Sequence, residues 1–193
     1  MDEKPLYGEE DCSQTGNDLF LSGRVVVLRP EGRSGINQLL FCENGADGIS
    51  DAADWPISAV SLADGEYIRG KRGDILGLLK PELLPDRARL QLSQIRPLDT
   101  EATETPEFTG YCFLPDGRYA TGVPLADELE VREYIDIQCA CQHRVMICDR
   151  EDCCVFEAVE GEVVFPTREM RERFLREDVG LEEPDSGGMK MQP

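Results

Sequence analysis

The stretch Asp127-Glu-Leu-Glu-Val-Arg-Glu-Tyr-Ile-Asp-Ile-Gln138, running on into Cys139-Ala-Cys141, decides the fold class because two periods compete in it. Ile135, Ile137, Cys139 and Cys141 alternate as a half-buried strand would. Val131, Tyr134 and Ile135 instead recur at helical spacing. Asp127, with Glu130 three residues on, has the form of a capping box. An acidic first turn also complements the positive end of a helix dipole. The helix is preferred, and the pattern predicts it to run to about Gln138.

On either side of this helix the chain reads as strands. Arg144-Val-Met-Ile-Cys148, Cys154-Val-Phe-Glu-Ala-Val159 and Glu162-Val-Val-Phe165 form a meander, with Glu160-Gly161 as a tight hairpin turn. Upstream, 108–114 and 118–123 flank the turn Pro115-Asp-Gly117. Downstream, Thr167 opens a last helix. Its charges pair at i,i+4 as Arg168/Glu172, Glu169/Arg173 and Glu172/Arg176, and Met170, Phe174 and Leu175 give it an apolar face.

The first half repeats the logic. Arg24-Val-Val-Val-Leu28 and Gln38-Leu-Leu-Phe-Cys42 are short apolar runs of buried-strand type. Residues 57–62 and Glu66-Tyr-Ile-Arg69 make a hairpin about Asp64-Gly65. Asp74 caps Ile75-Leu-Gly-Leu-Leu79, which reads as a short helix stopped by Pro81. Pro85 starts another, with Ala88, Leu92 and Ile95 at helical spacing. The expected fold class is α+β: two small antiparallel β-meander units with short helices and a C-terminal helix.

Charge divides the chain more sharply than hydropathy does. There are 39 acids against 20 bases, a net charge of −19. Residues 1–18 hold six acids and one base, 19–98 hold ten of each, and 99–193 hold 23 acids and nine bases. The predicted organisation is a disordered acidic N-terminus (1–18), a neutral β-meander with short helices (19–98) and an acidic linker (99–107). An acidic α+β domain (108–179) and a flexible tail (180–193) follow. An acidic chain repels phosphate, so direct nucleic-acid binding is not expected; an acidic surface is usually a solubility device, and the alternative is that it engages a basic protein partner. No apolar run of membrane-spanning length and no secretory h-region is present, which predicts a cytoplasmic protein with no membrane partner.

Several patterns resemble chemistry. Gly65-Glu-Tyr-Ile-Arg-Gly70-Lys71-Arg72 matches the P-loop spacing, but Arg72 stands where Ser or Thr must hold Mg²⁺, and Tyr67 and Ile68 read as strand. Glu43-Asn-Gly-Ala-Asp-Gly48-Ile-Ser-Asp-Ala-Ala-Asp54 lacks the oxygen donor at its third position and the closing Glu of a calcium loop. It reads as a turn-rich connection. Eight cysteines are present, five of them between 139 and 154. A reducing cytoplasm argues against a disulfide framework. Cys139, Cys141, His143, Cys148, Cys153 and Cys154 offer enough soft ligands for zinc. However, the C-x-C and C-C spacings are not the C-x₂₋₄-C knuckles of structural zinc sites. Scattered free thiols are preferred, no cofactor is expected, and a zinc-stabilised module or an enzyme built on this cluster is the alternative. A thiol–histidine dyad would have to use His143, the sole histidine.

Gly23-Arg-Val-Val-Val-Leu28, the run from Arg72 to Pro85, Val131-Arg-Glu-Tyr-Ile-Asp-Ile-Gln138 and the run from Gln142 to Asp152 resemble pieces of accessory proteins from conjugative elements of Gram-positive gut bacteria. The resemblance implies a cytoplasmic bacterial protein on a mobile element and carries no activity with it. A non-enzymatic accessory or interaction protein is therefore expected. Its acidic half would engage a basic nuclease, relaxase or restriction enzyme, with DNA mimicry as a minor version. Asp127, Glu128, Glu130, Glu133 and Asp136 are the candidate partner-binding residues, and no catalytic residue is assigned.

Overall fold

A computed structural model describes residues 6–16, 19–29, 38–48, 52–96 and 105–167. Among the described residues, two antiparallel sheets and two α-helices make the fold α+β. The first sheet contains β1 (Cys12–Thr15), β2 (Arg24–Leu28), β3 (Leu39–Asn44), β4 (Pro56–Ser61), β5 (Tyr67–Lys71) and β6 (Ile75–Leu79), in the spatial order β1-β6-β2-β3-β4-β5. The second contains β7 (Phe108–Phe113), β8 (Val123–Leu125), β9 (Arg144–Asp149), β10 (Cys154–Val159) and β11 (Glu162–Phe165), in the order β11-β10-β9-β7-β8. Helix α1 (Asp86–Leu92) closes the first unit, and α2 (Glu128–Gln138) lies within the second.

The all-apolar strand β2 is explained by burial on both sides. Val25 and Val27 join Leu39, Phe41, Leu76 and the helical Ala88 and Leu92 in one core. Val26 and Leu28 join Leu40, Cys42, Ile57, Ala59, Ile68 and Ile75 in a second core on the opposite face. Alternate side chains go to alternate faces, so a strand covered on both must be apolar throughout.

Three expectations for this half are corrected. The run Ile75–Leu79 is a strand, not a short helix. A five-residue apolar run has no readable period, and here it pairs with β2 on one side and β1 on the other. Its central glycine is needed for that pairing: a Cβ at Gly77 would lie 2.3 Å from the carbonyl oxygen of Gln14. Second, the acidic N-terminus is ordered over residues 6–16. Tyr7 and Cys12 are buried, Tyr7 N donates to Gln38 Oε1 at 2.8 Å, and β1 forms the edge of the sheet. Third, Pro85 is the cap of α1 rather than its first residue.

In the second half the strand expected over 118–123 forms only an isolated bridge, Tyr119 to Phe113, and the strand proper is β8. The hairpin at Glu160-Gly161 is present, with both residues at positive φ (50° and 77°) as a tight two-residue turn requires. The C-terminal helix expected past Thr167, the flexible tail at 180–193 and linker residues 99–104 lie outside the described residues.

The two units dock through their helices. Tyr134 Oη donates to Ser93 O at 3.0 Å, Gln138 Nε2 to Leu92 O at 2.9 Å and Gln142 Nε2 to Arg89 O at 2.9 Å. Side chains of and just beyond α2 thus bond carbonyls at the C-terminal end of α1 and of Ser93 just past it. Ile137 and Cys141 pack against the first unit's core alongside these bonds.

Candidate functional site

The outer face of α2 is built from its cap. Asp127 Oδ1 accepts from the backbone N–H groups of Leu129 (2.9 Å) and Glu130 (3.0 Å). Glu130 turns back to accept from Ala126 N at 2.6 Å, one residue earlier than the reciprocal bond of an ordinary capping box. Glu130 is only 1% exposed, with Arg96 Nη2 3.9 Å away, and is therefore withdrawn from any partner-binding surface. Asp127 is exposed but its carboxylate is engaged in the cap. Glu128, Glu133 and Asp136 are exposed, together with Arg132 and Leu129. Leu129, Arg132, Glu133 and Asp136 follow at i, i+3, i+4 and i+7, one continuous stripe of helix surface. Leu129 is 61% exposed, a large apolar side chain set among carboxylates.

The cysteines are spread over distinct environments. Cys141 packs into the first unit's core and Cys139 into the second's. Cys148 (β9) and Cys154 (β10) stand opposite one another, Cys148 buried and Cys154 half-buried, and Cys153 is exposed. Among the described residues no three His, Cys, Asp or Glu side chains converge as a metal site would need. Burial pushes the thiols of Cys139, Cys141, Cys148 and Cys154 above their ordinary range. Burial also raises the Cys42 and Cys112 thiols to about 12. A protonated thiol is a poor nucleophile and a poor metal ligand at neutral pH. His143 Nδ1 contacts Glu160 Oε1, and Glu160 N donates to His143 O at 2.8 Å, so the imidazole is tied to the β10–β11 hairpin. The P-loop-like run is strand β5 followed by a turn, as its Tyr67 and Ile68 implied.

Two polar groupings were not singled out from sequence. Arg72 donates to Gly45 O, Leu19 O and, at 3.0 Å, to Asp47 Oδ1, with both side chains of the ion pair under a tenth exposed. Asp47 also accepts from Leu21 N at 2.8 Å and Ser22 N at 2.9 Å. Burial alone would raise its carboxyl, but the hydrogen bonds from Ser22, Leu21 and Arg72 together hold it below the usual range. The other grouping is Glu130, Tyr134, Gln138 and Gln142, all buried. Their spacing of four residues was a usable signal, because it aligns three polar groups and a tyrosine on one helical face.

Compared with protein-family models, with curated proteins and with solved structures, the chain finds no match.

Proposed function

We propose that the chain is a non-enzymatic interaction protein that engages a basic protein partner through the outer face of α2. The observation that carries this reading is Leu129, exposed at the head of a helix stripe that also presents Glu133 and Asp136, with Glu128 beside it. An apolar side chain in that setting supplies a desolvated anchor, while the carboxylates favour a cationic rim and repel other partners. The 23 acids against nine bases in residues 99–193 extend the same sign of field over this half. Such a field accelerates encounter with a basic surface and weakens as salt shortens the Debye length. In the bacterial, mobile-element setting implied by the resemblance, a nuclease, relaxase or restriction enzyme has the required charge.

The test is capture at low salt from a bacterial lysate on immobilised chain, with a salt-step elution. Three baits are compared: the natural sequence, Leu129→Glu, and Glu133→Lys combined with Asp136→Lys. One basic protein retained by the natural sequence and weakened roughly tenfold by each variant is the expected result. Matched melting curves establish that the three baits are equally folded. Equal retention by all three, or retention of no basic protein, overturns the reading.

A further inference from the structure

We infer that Cys148 and Cys154 form a dithiol site that a small-molecule disulfide converts reversibly to a cross-strand disulfide. Cys154 is the register partner of Cys148 in the β9–β10 pair. The next rung fixes the kind of pair: Asp149 N donates to Cys153 O at 2.9 Å. In an antiparallel ladder that bond flanks a non-hydrogen-bonded pair, in which side chains approach most closely and Cα atoms stand about 4.5 Å apart. Disulfides span Cα separations of ~4.4–6.8 Å, so the bond can form without pulling the strands together. Both thiols belong to the sheet face that carries Tyr111, Met146 and Arg144, away from α2. The register pairs Cys148 with Thr109 and Met146 with Tyr111, and Cys154 feels the charges of Glu157 and Arg144.

The loop between them is already closed. Asp149 Oδ1 accepts from Glu151 N (3.0 Å) and Cys153 N (2.9 Å), and Asp152 takes the left-handed conformation at φ 60°. The loop closed between Cys148 and Cys154 is short, so the cross-link removes little entropy from the unfolded chain, and a bond that stabilises the fold little is in turn stabilised little by it and stays reducible.

Exposure sets the order of steps. Of the two, Cys154 is half-buried and Cys148 buried, so the oxidant reaches Cys154 before Cys148. The fraction of Cys154 present as thiolate, kept small by burial, attacks one sulfur of the small disulfide and expels one thiolate, which takes up the proton that Cys154 lost. Cys148, as thiolate, then attacks Cys154 Sγ and expels the second, which takes up the second proton. Two protein S–H bonds are replaced by one S–S bond, and the two electrons reduce the oxidant to two thiols. Asp149 and Asp152 lie by Cys148, while beside Cys154 the charge of Glu157 is offset by Arg144, so the net field at the pair is negative and favours a cationic disulfide over an anionic one.

The experiment treats the full chain with cystamine, and in parallel with oxidised glutathione. Remaining thiols are alkylated and the chain is digested with trypsin without reduction. Arg144, Arg150 and Arg168 bound the peptides 145–150 and 151–168, which hold Cys148 and the Cys153-Cys154 pair separately. The expected product is these two peptides joined and short of two hydrogen atoms, formed faster with cystamine and separated by dithiothreitol. Cys153→Ser keeps the link and Cys154→Ser loses it. Full alkylation of Cys148 and Cys154 after oxidant, mixed disulfides alone, or a link that survives Cys154→Ser and vanishes in Cys153→Ser overturns the inference.

Discussion

The first sheet is covered on both faces and the second on one, and the contrast accounts for where each unit keeps its polar groups. In the first, the apolar runs β2 and β3 send alternate residues into two cores, and a polar group can sit inside only if every bond is met. Arg72 and Asp47 satisfy that condition in a buried pair that ties the segments at Leu19–Ser22 and Gly45–Asp47 to the turn after β5. In the second sheet, Cys112, Val123, Leu125, Val145 and Ile147 pack under α2. The other face is left half-buried, with Tyr111, Phe113 and Met146 alongside an exposed Tyr119. Its ion pair, Arg144 Nε to Glu157 Oε1 at 2.7 Å, is only half-buried, and the Arg144 guanidinium stacks over Phe113 with 5.0 Å to the ring centroid.

The largest test of this contrast is Arg72→Ala. Removing the cation leaves Asp47 charged, buried and short of a partner, and breaking such a pair costs about 3–5 kcal/mol. Urea unfolding is expected to show a loss of that size, and a loss below about 1 kcal/mol would mean the pair is solvated after all. The same pair predicts an acid limb. The folded Asp47 pKa lies below that of the free carboxyl, so its contribution is full above the ordinary carboxylate pKa of ~3.9 and is lost as pH falls through the folded value. Asp47→Asn should flatten the stability profile below about pH 4, as read by melting temperature against pH.

Leu92→Ala comes next. Leu92, the last residue of α1, is fully buried in the first unit's core, against which Ile137 and Cys141 of the second unit also pack. Deleting three buried carbons costs about 2–5 kcal/mol. Its carbonyl also receives Gln138, so both units should lose stability together in a single unfolding transition. Two separated transitions would show that the docking of α2 on α1 is weaker than the shared core implies. Tyr134→Phe is milder. It removes a hydroxyl that donates to Ser93 O and lies 3.2 Å from Cys112 Sγ, with an expected cost of about 1 kcal/mol.

Much of the architecture was legible because its signals were local. The cap at Asp127, the Gly turns and the short apolar runs of β2 and β3 all act within a few residues, and the elements they imply are present. Ile75–Leu79 was misread because its strand character comes from β1 and β2, which are remote in sequence. The N-terminal strand was hidden for a related reason: its acids dominate the composition, while its order rests on Tyr7 reaching Gln38 and on Lys80 N reaching Asp11 O. Within the candidate site, the exposed stripe of α2 could be read from helical spacing. The burial of Glu130 could not, because its side chain turns back onto Ala126 N and lies near Arg96 of the other unit. The Cys148–Cys154 pairing likewise needs the register, which a bulge after Cys154 shifts away from simple counting.

The smallest effect belongs to the open face. Arg144→Ala removes the bridge to Glu157 and the contact with Phe113, both at partly exposed positions. A surface pair of this kind contributes about 0.2–1 kcal/mol, so its loss should barely move the urea midpoint. What remains should shrink further at 1 M salt, where the Debye length is about 3 Å, whereas the Arg72→Ala deficit should persist because solvent ions do not reach Asp47. Measured side by side, the two substitutions remove the same functional group from the two sheets. If they cost the same, the difference in cover between the sheets is not what sets the energy of their charges.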